Sequence, residues 1–312
     1  MSEVRQLVED LVTMKRAAGF SWKRQEHDLL QFADLCERMG HVSGDVSSEC
    51  VDRYVYGAHV RATTVYKREL LLAELGDFAR ARGFSGAHVC KVGGCPHWRP
   101  GPPYIFTDEE VRRLFAAIDG RQPTTSDNRG LVDPVLFRVL YGTGVRVSEC
   151  LGLAVGDFDP VTRSVTVRGG KNGRDRVLPV TDRLAATVDR YIGAAHPSGD
   201  VREALFYTRD PRRAMDRSTV YVRFREYLLM ADIPHFRDGG PKVHSLRHGF
   251  AVGCLRRWAR EGADVTAKLP RLMGYMGHGD LRATEYYLRL TAELYPGMVE
   301  QVERECGWVV PS

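Results

Sequence analysis

The hydrophobic period of this chain departs from helical spacing in one stretch, and that departure limits what it can fold into. Along most of its length apolar residues recur at helical spacing. Between Ser164 and Val180 they alternate instead, in SVTVR (164–168) and RVLPV (176–180), with GGKNGRD between them. Asn172-Gly173 offers the two left-handed backbone positions that a tight hairpin requires. The expected class is therefore mainly α with a small antiparallel β-sheet.

The helical stretches fall into two groups. In residues 3–17, Val4, Leu7, Val8, Leu11 and Met14 form one apolar stripe. Ser21 is a candidate cap for a second helix that turns Trp22, Leu29, Phe32, Leu35, Cys36 and Met39 inward and stops at Gly40. A short helix is expected near 47–57. A fourth opens at Thr63 or Thr64, carries Val65, Leu71, Leu75 and Phe78, and closes at Gly83. These make a helical N-terminal domain over 1–86. Residues 87–104 are rich in Gly and Pro and lack a period, which predicts a linker. A second domain is expected over 105–312. It starts where Thr107 and Glu110 have the spacing of a capping box, with helices near 108–119, 131–141, 147–154, 181–194, 217–230, 245–260 and 266–276.

Composition narrows the function classes. With 43% hydrophobic and 27% charged residues and a net charge of +5, the chain reads as a mildly basic globular protein. No apolar run is long enough to cross a bilayer. The N-terminus, MSEVRQLVED, is acidic and amphipathic, unlike a signal peptide, so a cytoplasmic location is expected. The seven cysteines sit mostly in apolar helical stretches, as free thiols pack. His88, Cys90, Cys95 and His97 put four metal-ligand types within ten residues. Their spacing matches no common zinc module, and Gly93, Gly94 and Pro96 favour a plain linker. There is no P-loop and no clustered carboxylate motif for magnesium, so no cofactor is expected.

Chemistry concentrates in three places. Arg146 follows the Gly142-Thr143-Gly144 turn at a helix start, where a guanidinium can bind phosphate, and Glu149 lies one turn on. A surface salt bridge is the alternative. His244 and Arg247 are three apart and share a helix face, with His248 next to them; an unpaired arginine would be costly in a core there. His278 lies in a glycine-flanked turn, and Tyr287 follows nine positions later, so convergence needs the intervening turn. Aromatic packing is the other reading of Tyr286-Tyr287. Lys171 at the hairpin tip is either a soluble turn residue or a proton donor. Arg174 and Arg176 on the hairpin suit DNA backbone contacts. Arg61, Lys67, Arg68, Arg80 and Arg82, on or beside the fourth helix, form either a DNA-binding or a solvated charged face.

Taken together and in this order, the motifs resemble the tyrosine recombinase, or phage integrase, family. TGVRVSECLGL resembles its first arginine motif, HSLRH its HxxR box, and LMGYMGHGDLRATEYYLRL the segment with its last histidine and nucleophile. The resemblance covers nearly all of 105–290 and, more loosely, the N-terminal domain. It implies a catalytic set of Arg146, Lys171, His244, Arg247, His278 and Tyr287, with Glu149 supporting Arg146. Family spacing selects Tyr287 over Tyr286. It further implies a helical core-binding domain at 1–86, double-stranded DNA as partner, a homodimer on each site and a homotetramer in the synapse, with a cytoplasmic, nucleoid-associated location. The implied activity is site-specific recombination through a 3′-phosphotyrosyl intermediate, as in an integrase, a resolving recombinase or a mobile-element transposase. A type IB topoisomerase and a non-catalytic DNA-binding relative are the alternatives.

Overall fold

In the computed structural model, residues 2–57, 60–94, 103–122, 127–170, 175–235 and 240–277 are described. The chain divides into two compact units, Met1–Pro100 and Gly101–Ser312.

The described residues of the first unit form four helices: α1 (Glu3–Ala17), α2 (Lys23–Arg38), α3 (Ser48–Tyr56) and α4 (Ala62–Ala81). Ser2 caps α1 by accepting from the Arg5 amide, which satisfies one orphan donor of the first turn. The apolar stripes meet in one core of Val8, Leu11, Leu29, Phe32, Cys36, Leu72 and Leu75. Each such side chain contributes roughly 1.5–3 kcal/mol through burial. Two helix starts differ from expectation. Ser21 does not cap α2: Trp22 does, in a left-handed conformation (φ 42°) with no side-chain cap bond, and its ring packs against the core. The fourth helix begins at Ala62, one residue before Thr63, with Arg61 at its cap.

The second unit begins with α5 (Asp108–Asp119), whose Thr107–Glu110 capping box makes both reciprocal bonds. Next come α6 (Arg129–Thr143) and α7 (Val147–Leu151). The helix expected over 147–154 is shorter because Gly152 ends it, and a 3-10 turn occupies Val155–Asp157. The sheet has three antiparallel strands in the order β1 (Phe158–Asp159), β2 (Ser164–Val167), β3 (Arg176–Pro179). Val165 pairs with Leu178 and Val167 with Arg176. The first strand went unforeseen, since two residues show no period. Four helices complete the described part: α8 (Asp182–Ala195), α9 (Arg217–Met230), α10 (Val243–Arg260) and α11 (Val265–Met276). Thr181, Asp216 and Asp264 cap α8, α9 and α11.

The core of this unit centres on α6 and α9. Phe137 lies 5.8 Å from Phe224 and 5.7 Å from Tyr227, ring centre to ring centre. Within this apolar region, fully buried Asp133 accepts from Arg223 Nη1 (2.5 Å) and the Tyr227 hydroxyl (2.8 Å). A second cluster, including Val252, Leu255, Leu272 and Met276, joins α10 to α11. Among the described residues, no helix is long and apolar enough to cross a membrane.

Candidate active site

Three pieces of backbone bring the site together. At the end of α6 the chain turns through Gly144 in the left-handed region (φ 61°). Glycine is needed there twice over, because a Cβ would lie 2.5 Å from Phe250 Cδ1. The turn delivers Arg146 to the cap position of α7. From the first turns of α10 come His244 and Arg247. The third piece is the last turn of α11, ended by Gly277 in the left-handed region (φ 68°).

Arg146 donates from Nη1 to Glu149 Oε1 (2.7 Å) and from Nη2 to the Gly277 carbonyl (2.9 Å). Its backbone N–H donates to Glu149 Oε2 (3.0 Å). Arg247 is only 2% exposed. It avoids the cost of an unpaired buried charge by donating to the carbonyls of Gly144 (2.5 Å) and Met276 (2.8 Å). The expectation that a guanidinium would disfavour a buried position here is thus corrected: backbone carbonyls receive it. Arg146 and Arg247 therefore meet at the end of α11, on the two residues that directly precede His278.

The Glu149 carboxylate is buried, with 7% of its side chain exposed. Burial alone would raise its pKa. Hydrogen bonds from Arg176 and from the Arg146 backbone and side chain outweigh that, and hold it at about 2. His244 keeps an exposed edge, and its ring meets His248 edge-on at 4.7 Å. Protein packed about its base, then the positive charges of Arg247 and Arg146, push its pKa below the ordinary histidine value. The imidazole is thereby kept neutral and able to accept a proton.

Arg176 was expected at the DNA backbone but lies elsewhere. Its side chain is 13% exposed. Its Nη2 and Nη1 donate to Glu149 Oε2 (2.8 Å) and Oε1 (3.2 Å), and its Nε to the Tyr275 carbonyl (3.0 Å). The signal was in the strand period: Arg176 and Leu178 alternate onto one face, and Leu178 is fully in the core. Arg68 in the first unit is also engaged, donating to the Tyr54 carbonyl (2.6 Å) with its guanidinium over the Tyr54 ring. Lys67 is exposed on α4. Lys171, Arg174, His278 and Tyr287 lie outside the described residues, as do Cys95 and His97. Cys90 is a buried free thiol.

A mainly helical unit with a small antiparallel sheet, in which two arginines meet at a helix end, is the arrangement of a class of DNA strand-transfer enzymes. Residues 105–293 match the phage integrase family, and the chain belongs to it. These are the tyrosine recombinases, which cleave and rejoin DNA through a phosphotyrosine intermediate. The chain is 30% identical to tyrosine recombinase XerA of Thermococcus kodakarensis over 94% of both proteins. It is 25% identical to a putative integrase/recombinase, y4rB, of Sinorhizobium fredii over 97% of this chain and 98% of that one. It is 36% identical to tyrosine recombinase XerC 2 of Ralstonia nicotianae, where the match spans 62% of this chain and about half, 51%, of that protein. Among solved structures, XerH site-specific recombinase bound to difH substrate in a pre-cleavage complex superposes with a TM-score of 0.62 at 16% identity, covering 91% of this chain and 81% of that one. At that identity the likeness speaks to the fold.

Proposed function

We propose that this chain is a site-specific DNA recombinase whose catalytic set is Arg146, Lys171, His244, Arg247, His278 and Tyr287. The Tyr287 phenolic oxygen attacks a phosphodiester phosphorus. A phosphorus–tyrosine bond forms on the 3′ side, and the bond to the 5′ oxygen breaks. His244 accepts the phenolic proton and Lys171 donates one to the departing 5′ oxygen. Arg146 and Arg247 neutralise charge on the non-bridging oxygens, and His278 donates a hydrogen bond to the same oxygens. Attack by a 5′-hydroxyl of the other duplex reverses the sequence and exchanges strands.

The observation that supports this reading best is the meeting of Arg146 and Arg247 on the carbonyls of Gly277 and Met276. A guanidinium has five N–H donors, and two of these contacts on Arg146 leave it further donors for a phosphate. Arg61, Lys67, Arg68 and Arg174 are assigned to the DNA backbone. The helical unit ahead of the linker is assigned to core-site binding. A homodimer occupies each site, a homotetramer forms the synapse, and the protein works at the nucleoid. Docking of the segment 296–312 on a neighbouring subunit would link the protomers, so its deletion is expected to weaken synapsis more than DNA binding.

The test searches the DNA that flanks the gene for inverted repeats and uses nicked DNA carrying them, with denaturing gels to trap covalent adducts. The wild-type protein forms an adduct and Tyr287→Phe forms none. Arg146→Ala and Arg247→Ala each lower the adduct rate by roughly a hundredfold to a thousandfold. An adduct formed by Tyr287→Phe would overturn the assignment, as would relaxation of a supercoiled plasmid that lacks the repeats.

A further inference from the structure

The end of α11 is held in an unusual way. Its three consecutive terminal carbonyls each accept from a different guanidinium. Tyr275 accepts from Arg176 Nε (3.0 Å), Met276 from Arg247 Nη2 (2.8 Å) and Gly277 from Arg146 Nη2 (2.9 Å). A helix leaves its last carbonyls without intrahelical donors, and they form the negative pole of its dipole. Two of these arginines belong to the catalytic set proposed above. The third, Arg176, does not.

Arg176 differs from the other two in what it joins. It sits at the start of β3, the strand that follows Lys171 in the sequence. Its guanidinium shares the Glu149 carboxylate with Arg146. The backbone of α11 closes directly over it: a Cβ on Gly277 would stand 2.9 Å from Arg176 Cζ and Nη1. A parallel contact ties the same strand to the same helix, since the Tyr275 hydroxyl donates to the Pro179 carbonyl (3.0 Å). Arg176 therefore touches the carboxylate that orients Arg146, the last turn of the helix that leads into His278, and the strand that leads out of the hairpin.

We propose that Arg176 is a positioning residue for strand transfer: its guanidinium fixes the last turn of α11 to Glu149, and through Glu149 it sets Arg146 for the scissile phosphate. This inference rests on the reading that Arg146 and His278 act on that phosphate. Each of its three nitrogens is bonded inside the protein and its side chain is 13% exposed, so the proposed role of Arg176 is exerted through Glu149 and α11 rather than through a DNA contact. Only a planar fork can serve a carboxylate edge and a carbonyl at one time; an ammonium group is a single compact charge. Lysine is thus a poor replacement although it keeps the charge.

The experiment uses the full-length protein with Arg176→Ala, Arg176→Lys and Arg176→Gln. DNA affinity comes from gel shift, and the single-turnover adduct rate is measured at saturating DNA. All three variants are expected to bind DNA within about twofold of wild type while the adduct rate falls up to about a hundredfold, the usual effect of misplacing a reacting group by an ångström. Ethylguanidinium added to Arg176→Ala restores part of the rate; ethylammonium does not. Tyr275→Phe, which loses only the bond to Pro179, gives a smaller loss of rate with binding intact. The proposal is overturned by a weakened affinity with unchanged saturated rate, which would make Arg176 a DNA contact. An unchanged rate overturns it too, and so does a parallel loss of binding and rate without rescue, which would make the residue structural only. Arg146→Ala separates this from the wider reading. If that variant forms adducts at the wild-type rate, the site assignment itself fails; if it is inactive while the Arg176 variants are normal, only the positioning role fails.

Discussion

Glu149→Gln probes how firmly this site is held together. The carboxylate accepts four hydrogen bonds, from the Arg146 backbone, Arg146 Nη1, Arg176 Nη1 and Arg176 Nη2. Its pKa is about 2 in the folded protein against 4.5 ordinarily. At about 1.4 kcal/mol per pH unit, the charged form contributes about 3 kcal/mol of stability at neutral pH. A depressed carboxylate pKa stabilises the fold above the unfolded value, and that contribution is lost as pH falls through the folded value. Glu149→Gln is therefore expected to cost about 3 kcal/mol at pH 7, about 2 kcal/mol near pH 3.5, and little once pH drops below the folded pKa. Urea unfolding measures this, followed by the fluorescence of Trp258 on α10 in a background where Trp22, Trp98 and Trp308 are Phe. A loss below about 1 kcal/mol at pH 7, or an equal loss at both pH values, would refute the argument.

Three further outcomes follow from the same structure. Asp133→Ala strands the buried guanidinium of Arg223 and is expected to cost about 3–5 kcal/mol in urea unfolding, while Asp133→Leu combined with Arg223→Met recovers most of it; equal losses in the single and double variants would count against an ion-pair origin. Gly144→Ala meets both a left-handed backbone and Phe250 Cδ1 at 2.5 Å, so it lowers stability by about 1–3 kcal/mol and slows adduct formation through Arg146; a wild-type melting temperature would contradict this. Because His244 is pushed below its ordinary pKa, a base at this position stays neutral and the adduct rate persists at pH values somewhat under 6.5. In His244→Gln that acid limb disappears, and an unaltered limb would move the proton acceptor elsewhere.

Much of this architecture was legible in the sequence because period and capping chemistry are local signals. The Thr107–Glu110 box, the hairpin pair and the apolar stripes of α1 and α2 depend on neighbours a few positions apart. What was not legible depends on distant partners. The inward packing of Trp22 was legible, but not that it, rather than Ser21, holds the cap position of α2 with a left-handed backbone and no side-chain cap bond. β1 is two residues long and exists only because β2 lies beside it. For Arg176 the side-chain type suggested a phosphate, whereas its register with Leu178 pointed inward. The register was the better guide, since a strand fixes which face a residue occupies whatever its charge. The carbonyl partners of Arg146, Arg176 and Arg247 left no trace in residue identities, as any residue offers a carbonyl.

That last point bears on how the site can work. Three guanidinium groups surround one buried carboxylate and the carbonyl end of α11. Backbone carbonyls carry dipoles rather than full charges, so they can hold an arginine in place while leaving much of its field intact. Burial first, and then the charges of Arg247 and Arg146, lower the pKa of His244, so its imidazole registers part of that field. A site that must meet a developing phosphate charge gains most from donors fixed in advance, because they need no reorganisation when the charge appears. A second carboxylate in the cluster would bond the arginines too, but its full charge would offset more of the potential that a phosphate meets. Most of the guanidinium contacts go to carbonyls, with Glu149 as the one acidic anchor among the described residues of the cluster, so three positive groups are immobilised around a single negative one.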